Sequence, residues 1–512
     1  MGRKILFVVT DQQRYDALGC NGGKIAKTPV IDALAAGGLR YTRAHANSVV
    51  CQPARSTMLT GQYTRTHGVT MNGMELPLTA PTVAEYLRAN GYRTALLGKA
   101  HFDPLMDPAG RFTETKLSLA GSTGPLRGFE HAQLATHTVQ GWLHYAIEMR
   151  KDHPEHCDGF YPVIDVKTLD VNGAGGGDTG AVQVKHNPVP RELYHTEWVA
   201  DKAIAWLNSL DESEDWFCWL SFPDPHHPWD PPMSELSRVD WRELDLPEGY
   251  LPPDQADKIL ATKPRQWLDY YNGTKITNFE APPNWVARDM TPDQLREVDA
   301  MNHIENELID EALGRVMATI KAKGWGDQTD VIYTADHGEL QGDFGLLFKG
   351  PYHCEALMRL PMVWAPATHT ACAAAVVTKP VQQVDLAPTF CHIAGLPIPD
   401  WMQGQPMPKN DASATRHWTL TEWDSNLREV EQHLRTIYLE DVDGRQWVAT
   451  FYEAGTIHDG TEGELYELTS DPRQHVNRWS DAACETIKAK LYRCLQDNLP
   501  AAGPMLKRLT SV

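Results

Sequence analysis

Short runs of apolar residues, each ending abruptly in polar side chains, set the plan of this chain. Lys4-Ile5-Leu6-Phe7-Val8-Val9 is apolar at successive positions and breaks off into Thr10-Asp11-Gln12. Asp330-Val331-Ile332-Tyr333-Thr334 behaves likewise and ends in Ala335-Asp336-His337-Gly338. Apolar side chains at both parities predict strands covered on both faces. Residues 215–222, which end in a polar cluster, and Arg93-Thr94-Ala95-Leu96-Leu97 are read as two more. Helical patterns alternate with these strands. One is Thr82-Val83-Ala84-Glu85-Tyr86-Leu87; a longer one spans about 293–321 and follows Thr291-Pro292, a capped start.

Strands alternating with helices predict an α/β fold, with a large mainly parallel central sheet and helices on both faces. Ligands in such sheets sit beyond the carboxyl ends of the strands. This catalytic domain is placed over residues 1–405. Between about 100 and 195 the pattern weakens, residues 171–177 are loop-like, and the stretch is read as an insertion. After about 405 the texture changes. Arg445-Gln446-Trp447-Val448-Ala449-Thr450-Phe451 alternates after the turn signal Asp443-Gly444, which predicts antiparallel strands. Residues 406–512 are therefore expected to form a smaller C-terminal α+β domain with an antiparallel sheet and a closing helix over about 481–496.

At 512 residues the chain exceeds what one core usually serves, in keeping with two domains. A net charge of -20 argues against nucleic acid or an anionic membrane as partner, because both need a basic footprint. It also means that a site for an anion must carry its own cations. Nine cysteines without a CxxC pair argue against a disulfide framework or zinc ribbon and predict reduced thiols in the cytoplasm. The apolar run near the N-terminus is far short of the ~20 residues that a membrane span needs, and it leads straight into a strand, so neither a span nor a signal peptide is expected.

Candidate chemistry gathers at the predicted strand ends. Asp11, Asp336 and His337 are oxygen and nitrogen donors that a parallel sheet can bring together. A lone Asp at a strand end is commonly a helix N-cap, but two such ends flanking a reactive residue favour a metal site. That residue is Cys51, in Val50-Cys51-Gln52-Pro53-Ala54-Arg55, followed by Leu59-Thr60-Gly61. Lys99 and His101 directly follow a strand, His226 lies in a Pro- and His-rich loop, and Lys349 lies in another loop. Singly, each reads as a solvated charge or a satisfied polar residue. With Arg55 they supply the positive lining that an anionic substrate needs.

The motif from Cys51 to Arg55 with Leu59-Thr60-Gly61 resembles the signature of the type I sulfatases and the related phosphonate monoester hydrolases of the alkaline phosphatase superfamily. The resemblance runs from the first strand to Gly463-Glu464-Leu465-Tyr466-Glu467-Leu468 and Asp471-Pro472. It implies that a modifying enzyme oxidises Cys51 to formylglycine, an aldehyde whose hydrate attacks sulfur or phosphorus. A covalent sulfo-enzyme intermediate follows, and the second hydroxyl expels the anion. By position, one divalent metal is held by Asp11, Gln12, Cys51, Asp336 and His337, and Arg55 holds the hydrate. Lys99 and Lys349 neutralise the transferred group, His226 and Lys349 assist the leaving oxygen, and His101 is the base. Asn72, Lys99, His226 and Lys349 contact substrate.

Two positions depart from the sulfatase pattern: Gln12 replaces a usual aspartate and His337 a usual asparagine. Calcium remains the first expectation for the metal, with manganese or zinc next. Lys99 and His101 resemble the sulfatases, whereas Gln12, His337 and Asn72 resemble the phosphonate hydrolases. The expected activity is hydrolysis of small anionic sulfate monoesters of the arylsulfatase type; the alternative is a phosphonate monoester or phosphodiester hydrolase, with promiscuity between them. A noncatalytic anion binder with unmodified Cys51 is a further alternative. The leaving-group pocket is expected from the 100–195 stretch and residues 233–285, and the acidic surface is compatible with a homo-oligomer.

Overall fold

The computed structural model describes residues 3–105, 107, 109–165, 170–275, 281–427 and 430–510. Its centre is an eight-stranded sheet in the order Ala375–Val377, Leu39–Tyr41, Met362–Ala365, Thr329–Ala335, Lys4–Thr10, Trp216–Phe222, Arg93–Gly98, His131–Leu134. The last five strands run parallel to one another, and Met362–Ala365 is antiparallel to both its neighbours.

The parity of the apolar runs explains the layers. Leu6, Val8, Ala95, Leu97, Cys218 and Leu220 join one buried cluster. Their neighbours Ile5, Phe7, Val9, Leu96, Phe217 and Trp219 join a second. Helices His195–Ser209 and Pro292–Ala322 cover the first face, through Val199, Ala203 and Leu313 among others. Helices Cys51–Thr60, Val83–Ala89 and Leu386–Ala394 cover the second, where Phe7 meets Trp219 edge-on at 4.8 Å and Phe390 at 5.0 Å. Thr291 closes a full capping box with Gln294 at the start of the long helix, as its sequence predicts.

Register then sets the site. Thr10 pairs with Phe222 on one side and Ala335 on the other, and Gly98 pairs with Ser221. The residues just beyond these strands, Asp11, Asp336 and Lys99, therefore emerge together, and backbone bonds keep them level. Asp336 N donates to Thr10 O at 3.1 Å, Asp11 N to Asp224 O at 3.1 Å and Lys99 N to Ser221 O at 3.0 Å.

The 100–195 stretch is not wholly an insertion, which corrects the sequence reading: His131–Leu134 is the parallel edge strand of the central sheet. His-Ala-Gln-Leu is short and lacks β-branched residues, so its register comes from pairing with residues 95–98 rather than from propensity. Towards the C-terminus, strands Trp418–Leu427, Val430–Glu440, Gln446–Glu453 and Gly463–Glu467 form an antiparallel sheet. Helix Glu485–Asn498 packs Leu491 and Leu495 against Ile437, Ala449 and Leu465 on one face. The opposite face, with Leu434, Tyr438 and Tyr452, merges into the large core. Among the described residues no helix is long and apolar enough to cross a membrane.

Gly98 ends its strand at φ 105°, and a methyl group there would collide with the Ser221 carbonyl oxygen. Gly98→Ala is expected to cost about 3 kcal/mol, from the strained φ and the backbone clash together. The measurement is a urea or guanidinium unfolding midpoint, and an unshifted midpoint would contradict this account of the strand end.

Candidate active site

Cys51 is the first residue of helix Cys51–Thr60, every residue of which is buried. Pro53 costs nothing there, because amides of the first turn have no partner within the helix. Arg55 lies one turn beyond Cys51 and so on the same face. The amide of Gln52 finds its acceptor outside the helix, in Asn72 Oδ1 at 3.1 Å.

From that face the Arg55 guanidinium enters between the two central strand ends. Its Nε donates to Asp336 Oδ2 at 2.8 Å, and a terminal nitrogen lies 3.4 Å from Asp11 Oδ2. The other terminal nitrogen donates to Lys99 O and Ser221 Oγ, both at 2.8 Å. Lys99 Nζ pairs with Asp11 Oδ2. Asp11, Arg55, Asp336 and His337 are all 0% exposed, so these interactions are little screened by solvent. Burial works against the charge of Asp11. Lys99, then His226 and Arg55, more than offset it and hold the carboxyl well below the usual carboxylate range.

His337 completes the centre. Its Nδ1 lies 2.9 Å from Gly338 O, which assigns the proton to that nitrogen and leaves the Nε2 lone pair facing inward. Nε2 lies 3.1 Å from Cys51 Sγ, 3.7 Å from Asp11 Oδ1 and 3.6 Å from Asp336 Oδ1. Asp11, Cys51, Asp336 and His337 thus turn one donor atom each into a space where all four lie within 4.8 Å of one another. Two carboxylates and an imidazole whose other nitrogen is tied to a carbonyl suit a divalent ion. Gln12, expected as a fifth ligand, is engaged elsewhere. Its side-chain oxygen accepts from Lys349 Nζ and its amide nitrogen contacts Glu339 Oε2 and His227 Nδ1. Its backbone N–H braces Asp336 Oδ1 at 3.0 Å. An amide oxygen has two lone pairs, so one is left over for an ion.

As a thiol, Cys51 is poorly suited to attack. Burial first and Asp11 second push its pKa above that of an ordinary thiol, and an ion on the sulfur would act in the opposite sense. His101 is also buried, at φ 57°, and neither ring nitrogen has a partner among the described residues. Burial, then Lys99 and Arg55, hold its pKa well below 6.5, which keeps the ring neutral and able to accept a proton. Lys349 Nζ lies 2.9 Å from His226 Nε2, while His226 Nδ1 meets the carbonyl of His227. The structure therefore brings Asp11, Gln12, Cys51, Arg55, Asn72, Lys99, His101, His226, Asp336, His337 and Lys349 to one place.

Other residues at the site escaped the sequence reading. His137 stacks on His226 with centroids 4.5 Å apart and planes 9° from parallel. Ser221, His227 and Glu339 hold Arg55 and Gln12. The adjacent Pro- and His-rich segment could have flagged His227; nothing local marks His137. A pocket opens above Cys51, Asn72, Lys99, His101 and His226, with Leu105, Trp142, Leu143, Val163, Ile164 and Val171 in its walls. Those walls come from the 100–195 stretch. Residues 233–285, expected to contribute, supply none of the described lining. They instead brace the Lys349 loop: Tyr270 OH donates to Leu347 O at 3.1 Å and Trp285 packs on Phe348 at 5.3 Å.

A parallel sheet with acidic strand ends around a helix-borne motif cysteine defines a hydrolase of the alkaline phosphatase superfamily. Residues 3–396 match the family model described as Sulfatase, and residues 342–499 match that for the N-sulphoglucosamine sulphohydrolase C-terminal region. The chain belongs to the sulfatase family. It is 24% identical over 502 residues to the uncharacterized sulfatase YidJ of Escherichia coli (strain K12), covering 96% of this chain and 86% of that protein. It is 25% identical over 491 residues to an arylsulfatase of Clostridium perfringens (strain 13 / Type A), covering 93% and 90%. Among solved structures, the phosphonate monoester hydrolase of Agrobacterium radiobacter superposes with a TM-score of 0.76 at 23% identity, covering 97% of this chain and 95% of that one.

The donor set predicts one tightly held divalent ion per chain. Chelation is expected to lower Tm by several degrees through lost binding free energy, and Asp336→Asn to abolish retention of the ion through dialysis. Calorimetry and elemental analysis read the two effects; an ion retained by the variant would contradict the assignment.

Proposed function

We propose that this protein hydrolyses sulfate monoesters of apolar alcohols or phenols, using an aldehyde formed from Cys51. The observation that carries the reading is the strand-end pair Lys99 and His101. Lys99 places a cation on Asp11, and His101 holds a neutral ring with no partner beside Cys51 in the same pocket.

A divalent ion held by Asp11, Asp336, His337 and residue 51 would supply Lewis acidity. Manganese or zinc suits that set better than calcium, which takes six to eight oxygens. The hydrated aldehyde would supply the attacking hydroxyl. The chain's own side chains do the rest. Arg55 fixes residue 51 against the two aspartates, and Lys99 and Lys349 stabilise charge that develops on the equatorial oxygens. The His226–Lys349 pair gives a proton to the leaving oxygen, and the Asn72 amide donates to the bound ester. Neutral His101 takes the proton whose removal expels sulfate. The walls formed by Leu105, Trp142, Leu143, Val163 and Ile164 exclude water and favour an apolar leaving group over a polyol.

A second reading, hydrolysis of phosphonate monoesters, rests on Gln12, His337 and Asn72. A cytoplasmic setting fits nine cysteines that are all free, and a separate enzyme is proposed to modify Cys51.

The deciding experiment compares kcat/KM for an aryl sulfate and an aryl phosphonate monoester on one preparation, together with mass spectrometry of the Cys51 peptide. The sulfate should be preferred and the peptide should carry an aldehyde. A strong phosphonate preference would favour the second reading, and an unmodified thiol in active enzyme would sink the mechanism. His226→Ala should lower kcat by roughly 10²–10⁴-fold on poor leaving groups and much less on activated ones. Equal losses on both would remove His226 from leaving-group protonation.

A further inference from the structure

Residues 499–510 form neither helix nor strand, yet they return to the start of the large sheet domain. Gly503 N donates to Arg65 O at 2.7 Å, and Thr66 Oγ1 to Ala501 O at 3.1 Å. Leu509 N donates to Gly73 O at 2.7 Å, and Arg508 Nε to Asn72 O at 3.1 Å. Burial explains this course only in part: Leu506 packs against the second core, whereas Met505 is 99% exposed and Leu509 42%. The contact is nonetheless close-fitting. Gly73 lies at φ 84°, and a side chain there would run into Thr510 O.

The other side of the same peptide faces the reaction centre. Asn72 Oδ1 accepts from Gln52 N at 3.1 Å, and Gly73 N donates to Gln52 Oε1 at 2.8 Å. Residues 72 and 73 are thus held from within by the first turn of the Cys51 helix and from outside by the terminal strap. What remains is the Asn72 side-chain amide nitrogen. It is buried, has no partner among the described residues, and belongs to a residue in the pocket wall. Its direction is set jointly by the Oδ1 bond to Gln52 N and by the peptide planes that the strap grips.

We propose that Arg508 is a positioning residue for Asn72, and that the terminal strap thereby sets substrate affinity from outside the pocket. The inference rests on the reading of Asn72 as a substrate contact. With Arg508 bonded to the carbonyl of Asn72 and Leu509 to that of Gly73, the turn cannot rotate about its own axis. The Asn72 amide is then aimed before substrate arrives, and binding need not order it.

Arg508→Ala is expected to raise KM for the ester that turns over roughly fivefold, with kcat changed by less than about twofold. Arg508→Lys should recover part of the loss, because an ammonium can still donate to the carbonyl. In an Asn72→Ala background, Arg508→Ala should add nothing, whereas a purely structural tether would act equally in both backgrounds. Calorimetric titration of the same proteins with inorganic sulfate repeats the comparison without turnover. Unchanged KM and Kd in Arg508→Ala, or an undiminished effect without the Asn72 side chain, overturns the proposal. If the wild type hydrolyses neither ester while sulfate binding shows the coupling, the proposed reaction fails and the positioning role stands.

Discussion

The site depends on one buried guanidinium. Asp11 and Asp336 follow adjacent parallel strands, and register leaves their fully buried carboxylates side by side. Two like charges at such a place repel strongly in a low dielectric. Arg55 bridges them, and its planar fork also reaches Lys99 O and Ser221 Oγ, so four strand ends are tied to one side chain. A lysine could neutralise the pair but could not hold this geometry. Because Arg55 and Cys51 share a helix face, the same contact that stabilises the carboxylates also locates residue 51 against them. Helix, sheet and reactive residue are therefore one mechanical unit, and damage to Arg55 would leave Asp336 without its buried ion pair while Asp11 kept only Lys99.

That unit creates an environment hostile to a thiolate. Cys51 sits at the positive end of a helix, which ordinarily favours an anionic sulfur. Here burial and the neighbouring Asp11 act against that charge. A divalent ion held by the carboxylates and His337 would favour the deprotonated form of a thiol and of an aldehyde hydrate alike, so the case for modifying Cys51 rests on the motif.

The strand ends were legible in the chain because short apolar runs at both parities, followed by Asp11 or Asp336, read as buried strands with polar ends. The Cys51-to-Arg55 motif was legible through its resemblance to the sulfatase signature, whereas the helix that gives the two residues a shared face appears only in the structure. Other features were invisible for physical reasons. His131–Leu134 is a strand only because residues 95–98 offer a free edge. His137 acquires a role through stacking on a residue far along the chain. The contact of Arg508 with Asn72 spans 436 positions, and no local pattern encodes a partner so remote. The bond between Gln12 and Lys349 likewise follows from tertiary geometry and adds a bracing contact to an expected ligand.

Charge balance explains why the site needs an anion. Within it, Arg55, Lys99 and Lys349 face Asp11, Asp336 and Glu339, the last with its carboxyl pKa pushed up to about 7 by burial, so a bound divalent ion would supply most of the positive excess. In a protein of net charge -20 this excess is local, and the surrounding acidic surface opposes rather than assists the approach of an anionic ester. Long-range steering therefore contributes little, and affinity must come from contacts made after entry. The apolar walls built by the 100–195 stretch serve that end twice. In the proposed reaction they would bury the leaving group and lower the dielectric in which the cations act on the transferred group. Recognition of the anion and acceleration of its transfer are then consequences of the same desolvated excess of positive charge.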